Sequence, residues 1–208
     1  MNSAILFIDG NNFYHNVKKW IKPSLIDIKK ISRFIEEKRK TKISEIRWYV
    51  SIPDKESNEI VYQKQRSFLS HLEKQGIKVI TRKLQKLSNK ELVKKRQLLM
   101  DSWDLCEICR PLVEEGFAEI KDPNQKEKGI DVWIAIDMVK EYLQNKLDCC
   151  ILLSGDADFV PAGNLIKEIG KEFLSCSILN GYSNELRQNF EYILIKREEL
   201  NKCLKELK

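Results

Sequence analysis

Apolar residues fall along this chain in two alternating patterns, short continuous runs and longer stretches at helical spacing. Ala4-Ile5-Leu6-Phe7-Ile8 is a run of strand length that ends in Asp9-Gly10-Asn11-Asn12. A continuously apolar run suits a strand buried on both faces, as in a parallel α/β sheet. Helical patterns near 11–20 and 25–39 lead to a strand at 44–50. A long helix at about 57–75 then stops at Gly76, the residue a helix C-cap favours. A strand at 77–81 follows. Later the rhythm resumes with helix 130–146, strand 148–154, helix 160–170 and strand 172–178. A short helix near 184–189, a strand at 191–195 and a charged helix at 197–207 close the chain. Strands separated by helices predict a mostly parallel sheet with right-handed crossovers.

Between about 83 and 127 the pattern loses this regularity. The segment holds a basic helix, the pair Cys106-Glu107-Ile108-Cys109 and a short predicted strand, Phe117-Ala118-Glu119-Ile120. It reads as an elaboration of one domain spanning 1–208, with a helical tail at about 197–208. A chain of 208 residues can bury a core without staples, and 42% hydrophobic with 33% charged residues describes a folded protein. No apolar stretch reaches membrane-spanning length, and MNSAILFIDG lacks a basic start before a long apolar core, so a cytoplasmic protein is expected. Cys149 and Cys150 sit in a predicted core strand, where cysteine acts as a small hydrophobe. Cys106 and Cys109 have the spacing of half a zinc site, but no second pair completes it and the histidines are only His15 and His71.

Charge adds a partner class. Net charge is +6, and the stretch from Arg82 to Arg96 carries seven basic side chains against Glu91 alone, a local excess equal to the whole. Surface helices usually mix signs, so a one-sided stripe suggests a polyanion whose phosphates are held by Lys and Arg. Lys94, Lys95 and Arg96 are the candidates for that contact.

The candidate chemistry sits where strands end. Leu152-Leu153-Ser154-Gly155-Asp156-Ala157-Asp158-Phe159 hands a strand over to a helix with two carboxylates one residue apart. Turn shaping by Asp156 and helix capping by Asp158 would explain them without function. Asp9 changes that balance, because sites in parallel sheets form outside the carboxyl ends of strands. Asp131 opens a helix in KGIDVWIAIDMVKEYL and adds a third acid. Clustered acids repel unless cations occupy them or some take up protons, and hard divalent cations prefer oxygen ligands. Asp137 lies about 120° around the helix from Asp131 and is expected to hydrogen-bond beneath the site. Asn12 either orients a phosphate or water, or caps the first helix. Phe13, Tyr14, His15, Trp48 and Tyr49 are candidates for base stacking, with core packing the commoner role. Lys128 is more simply a solvated lysine than a phosphate contact.

Phe7-Ile8-Asp9-Gly10-Asn11-Asn12, Lys128-Gly129-Ile130-Asp131 and Leu153-Ser154-Gly155-Asp156-Ala157-Asp158-Phe159-Val160-Pro161 together resemble the NYN domain family, within the PIN-like nuclease group, and more narrowly its bacterial LabA-like branch. The resemblance implies a Rossmann-like three-layer α/β/α sandwich and a metal-dependent ribonuclease. It places catalytic and metal-binding roles on Asp9, Asp131, Asp156 and Asp158, with Mg²⁺ or Mn²⁺ as the ion, and substrate contacts on Asn12 and Ser154. RNA, single-stranded or structured, is the expected substrate and endonucleolytic cleavage the expected action. Exonucleolytic cutting, DNA as substrate and a homodimer stay open. A haloacid-dehalogenase-like phosphatase would need a second Asp where Asn11 stands, and no glycine-rich phosphate loop is present. The serious rival is a non-catalytic RNA-binding or regulatory protein on the same fold.

Overall fold

The computed structural model describes residues 3–53, 55, 59–83, 85–86, 89–119, 125–126, 129–144 and 148–205. They divide between two compact units, Met1–Arg82 with Gly129–Lys208, and Lys83–Lys128.

The first unit contains β1 (Ser3–Asp9), α1 (Gly10–Val17), α2 (Ile28–Arg39), β2 (Lys42–Ile52), α3 (Glu59–Lys74) and all but the last residue of β3 (Lys78–Lys83). The second contains β4 (Gln85–Lys86), α4 (Asn89–Asp101), α5 (Cys109–Glu119) and β5 (Gln125–Lys126). The first unit then continues with α6 (Ile130–Gln144), β6 (Cys149–Leu153), α7 (Val160–Glu168), β7 (Glu172–Ile178), α8 (Asn184–Asn189), β8 (Glu191–Ile195) and α9 (Arg197–Lys202).

Six strands form one sheet in the order β3-β2-β1-β6-β7-β8. The pairs β1·β2, β1·β6, β6·β7 and β7·β8 are parallel. The alternation of β1 feeds both faces. Ala4, Leu6 and Ile8 join a core with Phe13 and Val17 of α1, Ile31 and Ile35 of α2, and Leu69 and Leu72 of α3. Ile5 and Phe7 face the opposite way, against Ile130, Ile134 and Met138 of α6 and Ile166 of α7. The protein is therefore a three-layer α/β/α sandwich; the strand and helix rhythm predicts its parallel sheet, and the family resemblance implies its Rossmann-like, PIN-like layering.

Local chemistry explains the boundaries. Gly76 takes φ +79° after α3, and the Ile77 N–H donates to the Leu72 carbonyl at 3.1 Å, closing the helix in a Schellman-type turn. Leu72 and Ile77 are both buried, which supplies the apolar contact that accompanies this turn. Asp27 caps α2 by accepting the N–H groups of Lys29 and Lys30.

Two predicted elements are corrected. Residues 117–119, expected as a strand, are the last turn of α5; Ile120 lies outside the described residues. Ala118 and Glu119 favour helix, and continuation from Cys109 outweighs the local apolar run. The tail helix, expected to 207, ends at Lys202. Leu200 and Cys203 are drawn into the core, and Leu204 forms an antiparallel bridge with Ile26. Burial of Leu200 and Cys203, with Leu204 partly buried against the same core, outweighs further propagation of an exposed charged helix. Residues 206–208 lie outside the described residues.

In the second unit β4 and β5 pair antiparallel, Gln85 opposite Lys126 and Lys86 opposite Gln125. The Arg110 guanidinium ties the start of α5 to Asp101 at the end of α4, at 3.0 Å.

Candidate metal and nucleic-acid site

Strand order reverses at one place in the sheet. From β1 the chain moves outward through β2 and β3; it returns to β6, beside β1, and moves the other way through β7 and β8. That reversal opens a crevice at the carboxyl ends of β1 and β6, where open α/β sheets place their ligands. Ile8 pairs with Leu153 across it, so Asp9 and Ser154 leave the sheet side by side.

Asp9 is only 4% exposed. One carboxylate oxygen, Oδ1, accepts the Asn12 N–H at 3.0 Å and caps α1; the other, Oδ2, accepts the Ser154 hydroxyl at 3.1 Å. A buried carboxylate needs such donors, since desolvation without them costs several kcal/mol. The cap of α1 is thus Asp9 rather than Asn12. Asn12 instead turns its Oδ1 to the Gly155 N–H (3.1 Å) and the Asn16 Nδ2 group (3.0 Å). Two bonds therefore clasp the DGNN loop to the SGD loop, and the Asn12 Nδ2 donor is left over from them.

The Ser154 hydroxyl also accepts the Asp156 N–H at 3.2 Å, so one oxygen links Asp9 to the backbone of Asp156. Ser154 is 2% exposed, which makes it a tie between the two acids rather than a surface contact. Asp156 caps the short 3₁₀ turn Ala157–Phe159 through the Asp158 N–H, at 3.0 Å. Asp158 is exposed on that turn. It does not cap α7, whose start at Phe159 has no side-chain cap. Asp131 stands half-buried in the first turn of α6, and α6 packs on β1, β2 and the Ala157–Phe159 turn.

The support beneath these acids was only partly legible in the sequence. Gly155 and Gly181 meet so closely that a Cβ on Gly155 would lie 1.4 Å from the Gly181 carbonyl oxygen. A Cβ on Gly181 would in turn lie 2.0 Å from Asn16 Nδ2. Lys19 closes the stack by donating to Asn16 Oδ1 at 3.3 Å and to the Asn180 carbonyl at 3.2 Å. The available signals were the Asn12–Asn16 spacing on one helix face and the Asn180-Gly181 turn dipeptide.

Tyr49 pairs with Asp9 across β1 and β2 and is fully buried. Its hydroxyl donates to Asp137 at 2.8 Å, placing Asp137 beneath the edge. Burial, followed by the Asp137 carboxylate, pushes the phenol far above its ordinary pKa, so it remains a donor. Arg47, also buried, bridges Glu45 and Glu141, the latter at 2.6 Å. Burial alone would favour loss of its proton, but the two carboxylates outweigh it and raise its pKa.

Among the aromatic candidates, Phe13, Trp48 and Tyr49 are core residues at 2% exposure or less, so base stacking is excluded for them. Tyr14 and His15 are exposed on α1, with the Lys18 ammonium 5.5 Å from the Tyr14 ring centroid. The basic stripe is not uniform. Arg82 of β3 donates to the carbonyl of Gly129, just before α6, at 3.3 Å. Lys94 and Lys95 are exposed on α4, and Arg96 is half-buried. Lys128 lies outside the described residues.

Among the described residues, no three His, Cys, Asp or Glu side chains are gathered to hold an ion. The donors at the edge are carboxylate, amide and hydroxyl oxygens, which fit a hard cation. Mg²⁺ commonly takes only one or two protein carboxylates and keeps waters and substrate phosphates as its other ligands. Asp9 and Asp156, joined through Ser154, are the pair of carboxylates at this edge that such an ion would need.

A doubly wound parallel sheet with carboxylates at its switch point fits a PIN-like α/β fold. The family model for the NYN domain matches residues 3–195, and the chain belongs to the NYN domain family. No curated protein matches it. Among solved structures it is similar to a protein of unknown function from Vibrio parahaemolyticus, with a TM-score of 0.60 and 16% identity over 95% of this chain and 94% of that one. That likeness bears on the fold alone. No helix among the described residues is long and apolar enough to cross a membrane.

Proposed function

We propose that the protein is a Mg²⁺- or Mn²⁺-dependent ribonuclease of the LabA-like branch, acting in the cytoplasm on RNA phosphodiester bonds. The observation that carries this reading is the double clasp between Asp9-Gly10-Asn11-Asn12 and Ser154-Gly155-Asp156. It spends buried polar groups on holding acidic side chains at a ligand-binding edge, an expense that a purely structural turn does not require.

Asp9, Asp131 and Asp156 would hold the ion directly or through water, with Asp158 as a more exposed fourth acid. Bound there, the ion would supply Lewis-acid charge to the phosphoryl group and lower the pKa of an attacking water. Asp9 is fixed in direction by the Asn12 N–H and the Ser154 hydroxyl, one on each carboxylate oxygen. Asn12, its carbonyl oxygen already used, would present its Nδ2 group to a phosphate oxygen or water. Exposed Lys94 and Lys95 would hold the RNA backbone by charge.

The test is cleavage of a labelled, structured RNA with Mn²⁺, Mg²⁺ or EDTA, comparing wild type with Asp9→Asn and Asp156→Asn. Metal-dependent cutting lost in both variants, with unfolding midpoints unchanged, is the expected result. Equal residual cutting in all three proteins would identify a contaminant. Absence of cutting with tight, salt-sensitive RNA binding would favour a binding module, which keeps or improves its affinity when acidic charge is removed, or a nuclease with a much narrower substrate.

A further inference from the structure

The six cysteines separate into two chemical classes. Cys149, Cys150, Cys176 and Cys203 are buried, and burial pushes the Cys149 thiol up to about 12 and the Cys150 thiol well above its ordinary value. Those side chains are inert fillers of the core. Cys106 and Cys109 are both exposed, in the second unit. No third ligand accompanies them in a metal-holding group among the described residues.

Their backbone geometry is particular. The Cys106 carbonyl accepts the Arg110 N–H at 3.0 Å, which makes 106–110 a single helical turn leading into α5. Within that turn the Cys106 Sγ accepts the Cys109 N–H at 3.4 Å, as a cap side chain does. Pro111 has no N–H, so the ladder skips one position where this turn runs into the first turn of α5. Side chains three residues apart in a helical turn lie about 5–6 Å apart at Cβ, and a disulfide needs about 3.5–4.5 Å, so closing the pair takes a backbone shift of about 1–2 Å within this exposed turn. The Cys109 amide, then the Cys109 thiol, hold the Cys106 thiol below its ordinary pKa, while the bond to Cys106 raises that of Cys109. A sulfur that receives an amide N–H at a helix start is stabilised as thiolate by the same dipole that favours any anion there.

We propose that Cys106 and Cys109 form a redox-active dithiol, with Cys106 as the attacking sulfur, Cys109 as the resolving sulfur and a small-molecule disulfide such as oxidised glutathione as the electron acceptor. The Cys106 thiolate attacks one sulfur of the acceptor; a mixed disulfide forms and one thiolate leaves. Cys109 gives up its proton and attacks the Cys106 sulfur, so the Cys106–Cys109 disulfide forms and the second thiolate leaves. Two electrons pass from the protein pair to the acceptor, which departs as two thiols once protons are taken from the thiol pair. The chemistry is independent of the acidic crevice in the other unit, so it stands or falls apart from the nuclease reading.

The test uses the full chain, reduced and then equilibrated in buffers of graded reduced and oxidised glutathione, acid-quenched, alkylated and read by peptide mass spectrometry. Wild type is expected to lose two hydrogens on the peptide joining Cys106 and Cys109. Cys109→Ser is expected to trap glutathione on Cys106, and Cys106→Ser to form neither product. Alkylation of reduced wild type at neutral pH should proceed roughly tenfold faster at Cys106 than at Cys109. Both side chains are exposed, and near-ultraviolet circular dichroism checks that the variants fold. Absence of the 106–109 disulfide in the most oxidising buffer, preferential glutathione capture on Cys109, or protection of both thiols by a bound zinc ion would each overturn the proposal.

Discussion

At the sheet edge, Asp9, Asn12, Ser154 and Gly155 are held by one another; on α4, Lys94 and Lys95 stand exposed to solvent. Both groups were picked out by residue type and spacing, yet they rest on different physics. The edge is a set of short directional bonds in a desolvated place, where a misplaced atom costs the full desolvation of its partner. The basic helix works through charge that water and salt screen, and its contribution spreads over several side chains. Changes at the edge should therefore be steep and local, and changes on α4 graded and dependent on ionic strength.

The largest effect should come from Gly155→Ala. Its Cβ would meet the Gly181 carbonyl, a backbone atom that cannot rotate away. A loss on the order of 3 kcal/mol or more is expected in urea unfolding, with nuclease activity lost as well. Gly76→Ala is the control, because nothing lies within 4 Å of that Cβ and only the positive φ is penalised. It should cost ~1 kcal/mol and leave activity intact.

Asp9→Asn separates architecture from chemistry. Asn caps helices as well as Asp; its Oδ1 can still accept the Asn12 N–H while its Nδ2 donates to the Ser154 oxygen, so stability should change by less than ~1 kcal/mol. Metal-dependent cleavage should fall by about a hundredfold or more. A variant that keeps its activity would remove Asp9 from the reaction and leave it as a cap.

Asn16→Ala tests the support beneath the site. It removes a bond to Asn12 and one to Lys19, and should cost ~1–2 kcal/mol of stability. The RNA KM should change less than kcat, since Asn16 acts through Asn12. Smallest in any single assay is the double variant Lys94→Ala with Lys95→Ala. Affinity for single-stranded RNA should weaken, and the slope of log affinity on log salt should flatten by roughly 1.4 if both contact phosphates. An unchanged slope would retire α4 as a substrate arm while leaving the crevice untouched.

Much of this was legible along the chain. The strands at 172–178 and 191–195 and the helix at 184–189 match the structure residue for residue, because each is bounded by turn residues and carries one apolar period. The acids Asp9 and Asp156 were legible because a strand end followed by a helix start limits where a carboxylate can point. Residues 117–119 were misread because a short apolar run fits either period, and only the helix already under way from Cys109 decides between them.

The linear order of residues thus determined the layers, the parallel sheet and which acids reach its carboxyl edge, since all follow from local periodicity and parallel pairing. Tertiary structure alone decided how those acids are held. The contacts of Ser154 with Asp9 and of Gly155 with Asn12 span more than 140 residues, and Gly181 closes on Gly155 from a third loop. Side-chain pairing of that range depends on register and on atoms approaching without a Cβ between them, and neither is written in any local window of the chain.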